Sequence, residues 1–334
     1  MTIRIRLAVL ACFLAAGGAL ALGAGPARAD YPEAVRQTLL PGYADFRAAT
    51  ADLAAKAAET CDPAALAAPF NAAWDAWLEV QWLRLGPAED QGRALAIAFW
   101  PDPKGMGAKA QKALIGADPA LLAPEAFAQQ SVAARGFFSL ERLLYPATPL
   151  AADTCPLIRA TADDLARMAA AIETDWTGSY ADVMLTAGAP GNATFLTESE
   201  VRQALFTQIA TGLEFIKDQR IGRPLGTFDK PRPELAEARA SGRSLRNVLV
   251  SLQALRAMTE TLSPNAPQTL AAFDHAIQLA QALDDPDFSG IADPSGWLKL
   301  QILQQAVDAT RQKALSELAR DLGVDLGFNA ADGD

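Results

Sequence analysis

Histidine occurs once in the 334 residues, at His275, and that scarcity removes whole classes of chemistry. A zincin-type peptidase needs two histidines one helical turn apart around a glutamate, and no His-Glu-x-x-His run occurs. A Ser-His-Asp triad would have a single base to draw on, and no Gly-x-Ser-x-Gly elbow accompanies it. Neither a phosphate-cradling P-loop nor a dinucleotide-binding glycine fingerprint is present. His275 itself stands three residues before Gln278, an amide rather than a carboxylate, so it reads as helix surface or helix packing. Sustained alternation of β-branched residues is also missing, which argues against sheets.

What the chain does have begins with a leader. A short basic stretch around Arg4 and Arg6 precedes an apolar run from Leu7 to about Leu22, and Ala27-Arg28-Ala29 follows as a small-residue cleavage site. This predicts a signal peptide over residues 1–29, export to the periplasm or cell envelope, and no membrane span after cleavage. The rival assignment, a lipoprotein modified at Cys12, fits poorly because Val9-Leu10-Ala11 makes a weak lipobox. Removing residues 1–29 takes away three arginines and no acid, leaving 26 basic and 39 acidic side chains and a formal charge of −13. Such a balance disfavours nucleic acid and anionic lipid as partners. Cys61 and Cys155 remain, and in an oxidising compartment they are expected to form a disulfide closing a loop of about 95 residues.

Apolar spacing is helical throughout the roughly 305 residues that follow the leader. Trp74, Trp77, Leu78, Trp82 and Leu85 follow the 3-4-3 rhythm of one helix face; Leu205, Ile209, Leu213 and Ile216 repeat it, as do Leu245, Leu249, Leu252, Leu255 and Met258. Stop signals divide the chain into helices near 32–59, 63–84, 107–115, 124–145, 155–186, 197–220, 233–262, 266–283 and 295–322. The simplest architecture is all-α: two up-and-down helical bundles packed side by side, the first over 30–190 and the second over 191–334.

Five stretches then carry a resemblance. Gly136-Phe-Phe-Ser-Leu-Glu141 resembles the G-x-H-x-x-E helix of the imelysin family, bacterial envelope proteins linked to iron uptake and named for a peptidase. The C-terminal run from Leu322 to Asp334, with Gly-Phe-Asn and Asp-Gly-Asp, is similar to the family's ending. The Trp-rich helix ending in Gly-Pro, the Trp100-Pro-Asp-Pro-Lys-Gly run, and the Pro-Leu-Gly loop before Ser244-Leu-Arg-Asn247 agree in the same order. The resemblance implies two helical bundles, an envelope location, and an iron-uptake or redox partner protein. It also implies a ligand or metal site on the G-x-H-x-x-E helix, near the groove between bundles.

Histidine at i and glutamate at i+3 would offer an imidazole and a carboxylate from one helical face, a pair suited to iron or zinc. Here Gly136 and Glu141 match, but Phe138 fills the histidine slot and disfavours either metal. No cofactor is assigned. Glu141 remains the one candidate metal ligand, and otherwise it is expected to pair with Arg142, Arg135 or another base, because an unpaired buried carboxylate is costly. Around it the expected ligand site draws on Gly136, Phe138 and Arg142. Trp74, Asp75, Glu79 and Trp100 join them from the first Gly-Pro region, and Arg243 and Asn247 from a helix whose Arg239, Arg243, Arg246 and Asn247 would share one face. These residues point to a binding protein without peptidase activity. A partner-docking scaffold with no small ligand and a metal-dependent peptidase are the alternatives.

Overall fold

The computed structural model describes residues 31–148 and 153–324. The expected leader at 1–29, with Cys12, and nearly all of the C-terminal signature lie outside the described residues. Among those described there is no β-strand, only an isolated bridge between Thr227 and Lys230.

Nine longer helices carry the architecture of the described residues. The first, α1 (31–59), contains one widened π turn at Val35–Leu39. It is followed by α2 (Pro63–Val80), α3 (Met106–Leu114) and α4 (Gly136–Leu144). α5 (155–185) and α6 (198–225) each carry a π turn, at Trp176–Tyr180 and Ile216–Gly222. The remainder are α7 (Ser244–Leu262), α8 (Pro267–Ala282) and α9 (Pro294–Leu322). Local chemistry sets several boundaries. Asp62 caps α2 by accepting from the Ala64 N–H at 3.2 Å, and Pro63 fills the first turn where its missing donor costs nothing. Asp293 and Pro294 repeat that pattern at α9, which ends on Gly323 in the left-handed conformation.

α1 packs along α2 and α5, with α4 lying across α5 and α2. In the second group α8 sits between α7 and α9, and α6 packs on α9 and α7. The two groups meet where α2 and the start of α1 lie against α7. This is the expected all-α pair of bundles. Each is filled by large apolar side chains, Phe46, Phe70, Trp74, Trp77 and Trp176 on one side and Leu205, Leu252, Phe273 and Leu300 on the other, all essentially inaccessible. The Cys61–Cys155 disulfide ties the α1–α2 turn to the first residue of α5, with Cα atoms 5.4 Å apart.

Two expected helices are shorter in the fold. The 124–145 segment breaks into Pro124–Ala128, a 3-10 turn at Val132–Ala134, and α4. Gly136, at φ +72°, opens α4 and lies against the chain at 96–97, where an added Cβ would fall 2.2 Å from the carbonyl oxygens of Ala96 and Ile97. The 233–262 segment becomes helical only at Ser244, after a 3-10 turn at Pro233–Leu235 and a left-handed residue at Ala238. Arg239 therefore does not share a helix face with Arg243, Arg246 and Asn247. It lies in the preceding turn, 3.5 Å from Asp287.

Candidate functional site

Phe138 is 6% exposed and begins a chain of rings that crosses from one bundle to the other. Its ring meets Trp74 edge-on at 5.0 Å and stacks on Trp100 at 6.4 Å. Trp100 in turn meets Phe215 of α6 edge-on at 6.1 Å and lies under the Arg223 guanidinium at 5.8 Å. The preceding residue, Phe137, is stacked on Trp74 at 5.2 Å within the first core. Trp74 and Trp77 are core residues; Trp82 is also buried, its indole N–H donating to the Glu79 carbonyl at 2.8 Å.

Glu141 lies one helical turn further along α4 and is 5% exposed. The expected arginine partner is absent from its hydrogen bonds. Oε1 instead accepts from the Ser241 backbone N–H at 2.9 Å and the Ser241 hydroxyl at 2.6 Å, both from the second bundle. Arg142 is turned away toward Gln111 Oε1 at 3.0 Å and the Ala133 carbonyl at 3.2 Å, and Arg135 is bound to Asp164. Burial pushes the Glu141 carboxyl up, the Ser241 hydrogen bonds oppose this, and Glu237 raises it further against a smaller pull from Arg142. The folded protein thus holds that proton more tightly than the unfolded chain does. Stability from this group is lost as pH rises from the ordinary carboxylate value of about 4.3 through the raised folded value. Glu141→Gln is expected to flatten that part of the pH–stability profile and to leave stability at neutral pH equal or higher. Urea denaturation at a series of pH values checks this, and a variant less stable at neutral pH would show the charge to be needed.

The other expected site residues fall into two further contacts, one across the join and one within the second bundle. Asp75 of α2 accepts from Arg243 at 2.5 Å and forms a two-pronged pair with Arg246, both on or beside the start of α7. Burial works against the Asp75 charge, but the two guanidiniums outweigh it and hold the carboxyl below its usual range. Arg243, 2% exposed, also bonds Asn71 Oδ1 at 2.5 Å and lies 5.2 Å over the Trp74 ring. Asn247 is fully buried and donates to Glu237 Oε2 at 3.0 Å. Glu79 belongs elsewhere: it is exposed and faces a separate groove shared with Asp45. His275 is exposed on α8.

A fourth contact rests on residues that the sequence reading did not single out. Arg220, in the π turn of α6, is 3% exposed and paired with Glu237, 2% exposed, at 2.6 Å. Its remaining donors reach Ser251 Oγ and Gln81 Oε1, each at 2.6 Å. Arg220 lines a cleft of about 190 Å³ between the segment just after α2, α6 and α7, with Trp82, Phe215 and Leu255 among its other walls. The only sequence signal was an arginine at the end of an apolar helix pattern, beside the Arg-Pro loop that disguised its burial.

The residues on α4 do not fit a bound metal. Phe138 has no lone pair, and Glu141 gives one oxygen to two protein donors. Among the described residues no group of three His, Cys, Asp or Glu side chains is placed to hold a cation.

Fold and join together define a class: an all-α protein of two bundles held by buried polar and aromatic contacts around a Gly-x-Phe-x-x-Glu helix. The chain belongs to the imelysin family, whose model (Imelysin, peptidase M75) matches residues 39–314. Iron-regulated protein A of Synechococcus elongatus is 26% identical over 304 residues, 82% of this chain and 81% of the relative. An imelysin-like protein from Psychrobacter arcticum has the same fold, with a TM-score of 0.73 at 21% identity over 90% of this chain and 99% of its own. A proposed iron-regulated protein A precursor from Parabacteroides distasonis superposes with a TM-score of 0.64 at 15% identity, covering 87% and 97%. No helix of the described residues is long and apolar enough to cross a membrane.

Proposed function

We propose that this chain is an exported accessory of iron acquisition in the cell envelope, acting by binding at the join of its bundles and not by hydrolysing peptides. The leader over residues 1–29, the family, and the names of the Synechococcus and Parabacteroides relatives support the compartment and the link to iron. The observation that carries a binding role is the cleft beside Arg220. Its walls are apolar, while Gln81, Arg84, Thr211 and Ser251 offer polar atoms at its edge. Because Glu237 neutralises Arg220 and Glu89 pairs with Arg84, recognition there rests on apolar contact and hydrogen bonding rather than net charge. At about 190 Å³ the cleft is smaller than the roughly 300 Å³ at which small-molecule pockets begin, so it takes one limb of an iron chelate or haem-like ligand.

Native mass spectrometry of the protein taken from its own envelope tests the proposal. A co-purifying small ligand is expected, lost in Phe215→Ala and kept in Glu141→Gln. Stoichiometric iron or zinc that disappears with Glu141→Gln, or peptide hydrolysis by the pure protein, would overturn it. A docking scaffold without a small ligand is the second reading, favoured by the sealing of Glu141 under Ser241. A spectrum of the bare chain alone would select it.

A further inference from the structure

A second cavity lies within the first bundle and has a different chemistry. Three stretches converge on it: the turn around Gln91 and Arg93, the segment from Gln129 to Arg135 before α4, and Arg167 with Met168 on α5. It measures about 330 Å³, within the range of roughly 300–1,000 Å³ typical of small-molecule sites. Its polar wall holds three guanidiniums and two carboxamides and no carboxylate.

Two aspartates stand behind the arginines. Asp164, 1% exposed, takes two bonds from Arg135, at 2.7 and 3.1 Å, and a further one from Arg167. Asp175 takes a bond from Arg93 at 2.6 Å. A third, Asp163, acts on Arg167 from outside the lining, so the three charges are balanced from behind while the wall itself presents no carboxylate. Arg93 and Arg167 each give a single terminal nitrogen to their aspartates, so the other guanidinium nitrogens remain for a ligand. Arg135 is 9% exposed and spends its Nε and Nη2 donors on Asp164 and Met168 and one Nη1 hydrogen on the Ala128 carbonyl at 2.9 Å, so it offers a ligand a fixed charge and a single remaining donor. Gln91 sits in the left-handed region at φ 55°, a strained setting for a side chain on the rim of this cavity.

We propose that this arginine-lined cavity binds a small oxyanion, a carboxylate or a phosphate. Paired N–H donors of a planar guanidinium match the two oxygens of either group. The site is independent of the cleft between bundles.

Calorimetric titration of the whole chain with citrate, and separately with inorganic phosphate at matched ionic strength, distinguishes the two sources. Saturable one-to-one binding of at least one is expected, weakening as salt is added. Binding of citrate alone assigns a polycarboxylate, and binding of phosphate alone assigns a phosphate ester or phosphate itself. Arg93→Gln and Arg167→Gln are each expected to weaken binding about tenfold or more, from loss of a charge-assisted bond. Arg93→Gln leaves the Arg135–Asp164 pair untouched, and Arg167→Gln removes only the more exposed third bond to Asp164 while that pair stays, so both variants should fold, as circular dichroism will report. Phe215→Ala, in the other cleft, is expected to bind as the parent does. No saturable heat with either anion, unchanged affinity in both arginine variants, or an equal loss in Phe215→Ala would overturn the assignment.

Discussion

Arg220→Ala is expected to destabilise the protein by about 3–5 kcal/mol, the range found when one partner of a buried ion pair is removed. Its effect comes less from the lost attraction than from what stays behind. Glu237 is 2% exposed and would keep one hydrogen bond from Asn247 and only the more distant charge of Arg243, with no cation paired to it. Ser251 and Gln81 would lose their shared donor, and with Gln81 goes one of the bonds between bundles. Chemical denaturation of the variant checks the figure. Arg220→Met combined with Glu237→Leu should recover much of the loss, because replacing both charges removes the uncompensated carboxylate while keeping volume. A single variant as stable as the parent would mean that water reaches Glu237.

Cys61→Ser is expected to lower stability by about 4 kcal/mol under oxidising conditions, in the chain-entropy account of a disulfide closing so long a loop. The bond spans a sequence separation of 94 and joins the α1–α2 turn to the start of α5. These three helices make the main contacts of the first bundle, so the crosslink restricts the unfolded chain in that bundle's packing helices. Thermal melts of parent and variant with and without reductant provide the check. The gap should close when the parent is reduced, and equal melting points without reductant would reject the crosslink.

Much of the fold was legible because helix periodicity is a local property. The 3-4-3 spacing of Trp74, Trp77 and Leu78, the Asp62-Pro63 start and the Asp293-Pro294 start each act within a turn or two of chain. Periodicity failed where the backbone turns: the helix from Pro124 stops at Ala128 and α4 starts only at Gly136, and a left-handed Ala238 precedes the start of α7 at Ser244. The join was half legible. Asp75, Glu141, Arg243 and Asn247 were all singled out and all lie at or beside it, yet their partners were not foreseeable. Asp75 with Arg243 is a pairing across 168 positions, and Glu141 with Ser241 one across 100.

The sequence by itself determined the all-α class, the cysteine pair and the loss of an imidazole beside Glu141, since each follows from residue identity or spacing along one stretch of chain. Only the tertiary structure decided that Glu141 is bonded by a serine, that Asp75 is held between two arginines, and that Arg220 and Glu237 are buried together. The first two depend on which side chains meet when the bundles close, and local spacing carries no information about distance between segments a hundred residues apart. The third depends on how the irregular stretch between α6 and α7 folds back over 17 positions, which has no periodicity to read.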